Sequence, residues 1–189
     1  MEYQEITERD LPRVTELCAR YLTEGQVIAD EMYAGWSRGD CLGYKAVVDG
    51  RIIGLLTVRR GIQLTYPHPE LERELREFVG DRPVCCGDAI LILPEYRGRG
   101  IHDRLTLAVR RELRRQGVKL MLTENWIYPD GRVPSKKGAA LFGRLVYEKV
   151  VPDFYRDLKR YGMRCPICGE NCVCGAWLHI WEIQEERGT

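Results

Sequence analysis

Four cysteines near the end of the chain have a type and spacing suited to binding a metal ion. They fall within ten residues, in the segment "CPICGENCVC", as Cys165, Cys168, Cys172 and Cys174. A Cys-x-x-Cys turn points two sulfurs at one centre, and four thiolates form a closed tetrahedral set. Structural Zn²⁺ suits this set best, and an iron–sulfur cluster, which uses the same ligands, is the less favoured alternative. Two disulfides are disfavoured in a reducing compartment, and four free thiols are disfavoured because exposed clustered thiols oxidise readily.

The turn "LPEYRGRGI" is a candidate anion-binding site. Gly98 and Gly100 allow backbone angles and close approaches that a side chain would block. A helix that begins near Ile101 presents unpaired N–H groups at the positive end of its dipole, and Arg97 and Arg99 add positive charge. This combination favours a diphosphate. It is not the nucleotide-triphosphate loop, because no Gly-Lys-Ser/Thr follows, and it lacks the three-glycine dinucleotide pattern.

The segments that must position these residues alternate between strand and helix patterns. Apolar residues at three-and-four spacing over 11–22 predict a helix after a short opening strand. Two strand-like runs joined by Asp49-Gly50 predict an antiparallel hairpin. A proline-bounded charged segment then predicts a short helix, and the apolar run "CCGDAILIL", which ends at Pro94, predicts a strand buried on both faces.

Composition and charge narrow the class of protein. The 189 residues, 44% of them hydrophobic, suffice for one domain over 1–189 with a single core. The formal net charge is only +1, without the positive field typical of a nucleic-acid or membrane-surface binder. No run of eighteen apolar residues occurs, and the start "MEYQEITERD" is acidic, so we expect neither a membrane span nor a secretory signal, and a cytoplasmic location.

The turn and the order of the elements resemble the GCN5-related N-acetyltransferase (GNAT) family. Arg97 and Gly100 match the family's diphosphate-binding pattern, whereas His102 stands where the family has glycine or alanine. The resemblance implies an α/β (α+β) fold with a mixed, mostly antiparallel central sheet flanked by helices. It also implies acetyl-CoA as co-substrate, with its diphosphate on the turn and its thioester along the splayed end of the preceding strand. The cofactor-contacting residues so implied are Leu91, Ile92, Leu93, Arg97, Gly98, Arg99, Gly100, Ile101, His102 and Phe142.

The segment "PSKKGAALFGRLVYEKVV" resembles the family's second cofactor-side helix followed by a strand. The family pattern begins there with asparagine and has tyrosine seven residues later, whose hydroxyl is the usual proton donor to the departing thiolate. This chain has Ser135 and Phe142 in those places. A phenyl ring donates no proton, so another group or water must protonate the thiolate, or it leaves as the anion.

The implied reaction needs a base for the amine and donors that polarise the thioester carbonyl. The resemblance implies a backbone N–H of Ile92 or Leu93 as that donor. For the base we expect Asp88, on the same strand, or Glu124, on the next, acting directly or through water. Asn125 is expected to hold the cofactor amide or the substrate. The alternatives are a solvated or capping role for Asp88 and a strand-end turn role for Asn125.

The alternating segment "AWLHIWEI", residues 176–183, predicts the closing strand of the sheet. Residues 152–175 are then an insertion before that strand, composed of a helix and the four-cysteine knuckle, which orders a long polar connection. The insertion lies near the acceptor side and is a hypothetical contributor to substrate entry. His179 is a weaker candidate for a fifth metal ligand and is more simply an alternating strand residue.

Three functions are compatible with these features. The leading one is an acetyl-CoA-dependent N-acetyltransferase for a small-molecule or peptide amine. The second is an acyl-CoA-binding or regulatory protein on the same scaffold, which Phe142 and His102 favour. The third is a zinc-knuckle nucleic-acid module, which the near-neutral charge disfavours. Tyr155, Trp177 and Trp181 are expected to be exposed and available for a homodimer.

Overall fold

The computed structural model describes residues 1–22, 26–64, 67–133, 138–165 and 167–184. The described strands and helices follow in chain order: β1 (Glu2–Glu5), α1 (Leu11–Tyr21), α2 (Gln26–Ser37), β2 (Cys41–Val48), β3 (Arg51–Arg60), α3 (Pro69–Val79), β4 (Val84–Ile92), α4 (Ile101–Arg115), β5 (Leu120–Ile127), β6 (Gly143–Val151) and β7 (Gly175–Ile183). The strands form one sheet in the order β1-β2-β3-β4-β5-β7-β6. Only the β4–β5 pair is parallel, which confirms the mixed, mostly antiparallel sheet.

Local sequence accounts for most of these elements. Asp49 and Gly50 both have positive φ, 49° and 73°, as a two-residue hairpin turn requires. α3 has a proline at its first position and buries one stripe, Leu71, Leu75 and Val79. α4 likewise buries an apolar stripe, and its other faces are charged. The patterns therefore predicted these elements correctly.

The helices divide between the two faces of the sheet. α4 packs across β2 and β3, and a Cβ added at Gly54 would lie 3.3 Å from Ile101 of α4. The neighbouring Leu55 faces the other way, and its partner Lys45 forms an ion pair with Asp10, just before α1. α1 therefore covers the side opposite α4. We call the two sides the α4 face and the opposite face.

The centre of the sheet opens into a cleft. β4 and β5 pair over only three residues each, Val84–Cys86 of β4 with Leu120–Leu122 of β5. Beyond that point β4 stays paired with β3, and β5 stays paired with β7 as far as Ile127. A register shift in the β3–β4 ladder leaves Asp88 without a partner residue. The two strands thus separate towards their carboxyl ends, as the resemblance implied.

Where the structure describes them, two expected helices are short 3₁₀ turns. After the expected start of the second cofactor-side helix, the described residues form a 3₁₀ turn, Ala139–Phe142, that leads directly into β6. The described part of this segment before β6 is five residues long, 138–142. Ser135 lies outside the described residues. In the insertion, the helix is the 3₁₀ turn Leu158–Tyr161, which ends at Gly162 with φ of 67°.

The expectation of an exposed aromatic surface for dimerisation was wrong. Tyr155 is fully buried and Trp181 is 4% exposed, while Trp177 is half-buried. Trp181 packs in the core under α4, and Tyr155 packs in the core formed by α3 and the insertion. Within the described ranges, the helices are too short or too polar to cross a membrane.

Candidate active site

The glycine turn, residues 97–100, brings the amino end of α4 to the mouth of the cleft. Gly98 and Gly100 have φ of 74° and 71°, a region that L side chains rarely adopt. Gly100 is the N-cap residue and offers no side chain to cap the helix. Along α4, the first N–H that bonds back to the glycine turn is that of Arg104, which donates to Gly100 O at 3.3 Å. The preceding amides of α4 are therefore available to an anion.

Two arginines brace this turn. Arg97 Nε donates to Ile92 O at 3.1 Å. Arg99 Nη2 donates to Glu95 O at 3.1 Å, and its guanidinium lies 5.3 Å from the centre of the Tyr96 ring. Both guanidinium groups are thus held by the segment between the end of β4 and the turn, where they add positive charge to the region that precedes α4.

The side chain of His102 packs against Gly138. A Cβ added at Gly138 would lie 1.5 Å from His102 Cε1, so the imidazole occupies the space that a side chain at 138 would need. The small residue of the family pattern is missing at 102, and a glycine at 138 accommodates the larger ring.

The end of β4 presents one backbone amide to the cleft. Leu93 N donates to Ile53 O at 2.9 Å on the β3 side. Successive N–H groups of a strand alternate between its two edges, so the N–H and C=O of Ile92 point to the cleft edge. The bond from Arg97 to Ile92 O agrees with this direction. Of the two amides expected as carbonyl-polarising donors, Leu93 N–H is already engaged and Ile92 N–H faces the cleft.

Asp88 is held by neighbouring side chains on the opposite face. Thr57 Oγ1 donates to Asp88 Oδ2 at 3.0 Å, and Arg59 Nε lies 2.9 Å from Asp88 Oδ1. Thr57 Oγ1 also accepts the N–H of Ala89 at 3.0 Å, which anchors the irregular point in β4. Each oxygen of this carboxylate therefore already has a partner.

Glu124 lies on the opposite face, two residues beyond the last β4–β5 pair. Tyr155 donates its phenolic hydrogen to Glu124 Oε1 at 2.5 Å, and the Tyr155 ring stacks on Trp126 with centres 3.7 Å apart. Burial raises the pKa of the adjacent Cys86 thiol to about 12, with a further contribution from Glu124. The Glu124 carboxylate, bonded to the Tyr155 phenol, therefore lies on the β5 side of the cleft.

Asn125 faces the other way, on the α4 face. Its amide nitrogen donates to Trp177 O at 3.3 Å and lies 3.1 Å from His179 Nδ1. The structure therefore puts Asp88 and Glu124 on the opposite face of the sheet and Asn125 on the α4 face.

The four cysteines of the knuckle, residues 165–174, converge on one point. Their sulfurs all lie within 4.8 Å of one another. Two of the distances are 4.0 Å, from Cys165 to Cys174, and 3.5 Å, from Cys168 to Cys174. Four sulfurs bound to Zn²⁺ at about 2.3 Å in a tetrahedron are about 3.8 Å apart. The spacing fits a four-thiolate metal site and is too long for disulfide bonds.

Backbone amides point at the knuckle sulfurs. Cys165 Sγ accepts the N–H groups of Ile167 at 3.4 Å and Cys168 at 3.3 Å. The backbone N–H of Val173 lowers the pKa of Cys168, whereas burial raises the pKa of Cys172 to about 11. Such donors favour thiolates, the form that binds metal. His179 is not in this group and lies on β7 between Trp177 and Trp181.

Sequence reasoning missed four side chains that organise the cleft. Thr57 and Arg59 hold Asp88, Tyr155 holds Glu124, and His179 holds Asn125. Each contact joins residues at least 29 positions apart in the chain, so no local motif marks them. The alternation of β7 was the one available signal, because it put His179 on the same face as Trp177 and Trp181.

Comparisons with known proteins agree with this geometry. Residues 6–130 match the model of the acetyltransferase (GNAT) family. Among solved structures, Arabidopsis thaliana NAA60 in complex with acetyl-CoA is 16% identical, with a TM-score of 0.63 over 96% of this chain and 98% of that chain. The NatC complex bound to Gag peptide and CoA is 12% identical, with a TM-score of 0.63 over 97% and 100%. The protein smu.2055 from Streptococcus mutans UA159 is 14% identical, with a TM-score of 0.58 over 97% and 100%.

No curated protein matches the sequence, and the structural similarities, at these low identities, support the fold alone. The family match covers more than half of the sequence and confirms the resemblance inferred from the glycine turn; the chain therefore belongs to the acetyltransferase (GNAT) family.

Proposed function

We propose that this protein transfers the acetyl group of acetyl-CoA to a primary amine. The observation that carries the proposal is the junction of two features at one place: the available amides of α4 behind Gly98 and Gly100, and the separation of β4 from β5. The amides suit the diphosphate of CoA, and the adjoining cleft is open to an extended pantetheine arm.

The thioester carbonyl is polarised by the N–H of Ile92. This amide points to the cleft edge, whereas Leu93 N–H is bonded to Ile53 O. A fixed backbone donor stabilises the oxyanion as the amine adds to the carbonyl, without the cost of reorganising water.

Glu124 accepts the proton of the attacking amine. The carboxylate lies beside the cleft on the face away from α4, so the amine approaches from the side opposite the cofactor diphosphate. Tyr155 fixes its orientation. Asp88 is the weaker candidate, because Arg59 and Thr57 hold both of its oxygens. Phe142 is buried and has no hydroxyl, so the CoA thiolate takes its proton from water or leaves as the anion.

The knuckle binds structural Zn²⁺ in this proposal, and its four thiols are kept reduced, in keeping with the cytoplasmic location expected from the sequence. The sulfur separations and the N–H donors aimed at Cys165 support the site. The ion closes the loop between β6 and β7, and Tyr155 N donates to Cys174 O at 3.1 Å. The knuckle thereby supports the residue that holds Glu124.

Release of free CoA thiol from acetyl-CoA, measured with a panel of amines, tests the proposed function. The panel includes polyamines, amino acid amides and peptides with a free N-terminus, since one structural neighbour was solved with a peptide and CoA. We expect amine-dependent thiol release with at least one class and an acetylated product by mass spectrometry.

A second function, binding of an acyl-CoA without turnover, is favoured by the buried phenyl ring at position 142. It predicts saturable acetyl-CoA binding with no thiol release above the amine-free rate for every amine tested. The absence of both binding and release would contradict both functions.

A further inference from the structure

A buried histidine lies behind the cofactor side of the cleft. His179 is fully buried on β7. Its ring lies between two indoles, and the ring centres are 4.9 Å apart for Trp177 and 5.5 Å apart for Trp181. Glu148 lies opposite on β6, with Oε1 3.3 Å from His179 Nε2. Asn125, on β5, is within 3.1 Å of His179 Nδ1.

The hydrogen-bonding groups fix which atom of Asn125 faces which neighbour. Trp177 O can only accept, so the amide nitrogen of Asn125, not its oxygen, faces it at 3.3 Å. The same nitrogen then donates its second hydrogen to His179 Nδ1. With Nδ1 as the acceptor, the ring hydrogen of His179 lies on Nε2, which is 3.3 Å from Glu148 Oε1.

The amide oxygen of Asn125 is consequently held as an acceptor. The two hydrogens of the Asn125 amide nitrogen are donated to Trp177 O and His179 Nδ1, and within the described residues the amide oxygen accepts no hydrogen bond. Asn125 lies three residues past Leu122, where β5 has parted from β4, and on the same face as α4. A pantetheine arm that runs from the amino end of α4 into the cleft carries two amide N–H groups, which need acceptors of this kind.

We infer that His179 is a positioning residue that orients Asn125 so that its amide oxygen accepts an N–H of the pantetheine arm of acetyl-CoA. The inference rests on the proposed function, because it assumes that the cleft binds acetyl-CoA. Without an acceptor at position 179, the Asn125 amide keeps only its bond to Trp177 O, so the direction of its oxygen towards the cofactor is less tightly fixed.

Isothermal titration with two ligands tests the inference: acetyl-CoA, and 3′-phospho-ADP, which has the nucleotide and diphosphate of CoA but no pantetheine. His179→Leu removes the ring nitrogens at similar size. His179→Asn keeps an acceptor oxygen in the place of Nδ1. Asn125→Leu removes the presented oxygen itself at the wall of the cleft, which guards against failure of the buried variant to fold.

We expect His179→Leu and Asn125→Leu to weaken acetyl-CoA binding about tenfold, the value of one hydrogen bond, with 3′-phospho-ADP changed by less than about twofold. Combining the two substitutions should add no further loss, because they remove the same bond. His179→Asn should restore acetyl-CoA affinity to within about threefold of the parent protein.

Unchanged acetyl-CoA affinity in folded Asn125→Leu and His179→Leu proteins would overturn the inference and leave the proposed function standing. Equal weakening of both ligands would also overturn it, because the effect would then reach the diphosphate site. If the parent protein bound 3′-phospho-ADP but gained no affinity from the pantetheine of acetyl-CoA, the proposed function itself would fail, and the inference with it.

Discussion

At the scale of single residues, the two carboxylates of the cleft differ in their partners. Asp88 is paired with Arg59 and bonded to Thr57, and it anchors the irregular point where β4 departs from regular pairing. Glu124 has a phenol, Tyr155, as a neutral partner. A phenol holds the orientation of a carboxylate without neutralising its charge, which suits the role of proton acceptor that we propose for Glu124.

Substitution of the carboxylates distinguishes these roles. We expect Glu124→Gln to lower kcat/KM for the amine about 100-fold, as loss of a general base does, with acetyl-CoA affinity unchanged. Asp88→Asn should lower the melting temperature, because it removes the charge of the nearer of the two carboxylates that pair with Arg59, and should lower kcat/KM by less than about tenfold. Steady-state kinetics and thermal unfolding of both variants check this. A larger loss of turnover for Asp88→Asn than for Glu124→Gln would assign the base to Asp88.

At the scale of elements, the knuckle and the cleft are mechanically connected. Cys174 O accepts the N–H of Tyr155, and Tyr155 stacks on Trp126 and bonds Glu124. The short insertion thus supports the acceptor side of the cleft from behind. The proposed ion at the four sulfurs would stabilise this connection, where the local 3₁₀ turn, Leu158–Tyr161, offers little helical structure.

Metal analysis tests this connection. We expect one zinc per chain and no visible absorbance, and chelation under reducing conditions should lower the melting temperature by about 5 °C or more. The fluorescence of Trp126, which stacks on Tyr155, should change as the ion leaves. Cys172→Ser should lose the metal, whereas Cys41→Ser, a cysteine outside the knuckle, should retain it. Iron with visible absorbance would contradict the zinc assignment, and metal-free protein with unchanged stability would contradict the site.

The glycine turn, α4 and the hairpin could be predicted from sequence because their signals are local. Asp49-Gly50 needs only its own two residues, and the stripe of α4 needs only its own spacing. The contact of His102 with Gly138 and that of Glu124 with Tyr155 depend on β7 inserting between β5 and β6 and on the path of the β6–β7 connection. Such long-range contacts leave no periodic trace in the sequence, which is also why Tyr155 and Trp181 were expected to be exposed.

At the scale of the whole molecule, the proposed function puts the two substrates on different faces of the split sheet. The glycine turn and Asn125 lie on the side of α4, whereas Glu124, Tyr155 and the knuckle lie on the opposite face. In the proposed reaction, acetyl-CoA enters from the α4 face, the amine enters from the opposite face, and the two meet between β4 and β5. The proposed transfer depends first on the donor: the amides at the start of α4 must bind the diphosphate of acetyl-CoA.

Isothermal titration of acetyl-CoA into Gly100→Val and Gly117→Val proteins tests that claim most directly. The two glycines lie at opposite ends of α4, with φ of 71° and 74° and no atom within 4 Å of an added Cβ, so the backbone strain is matched. We expect Gly100→Val to weaken acetyl-CoA binding at least about tenfold and Gly117→Val to leave it unchanged. Equal affinity of both variants and the parent protein would contradict the claim.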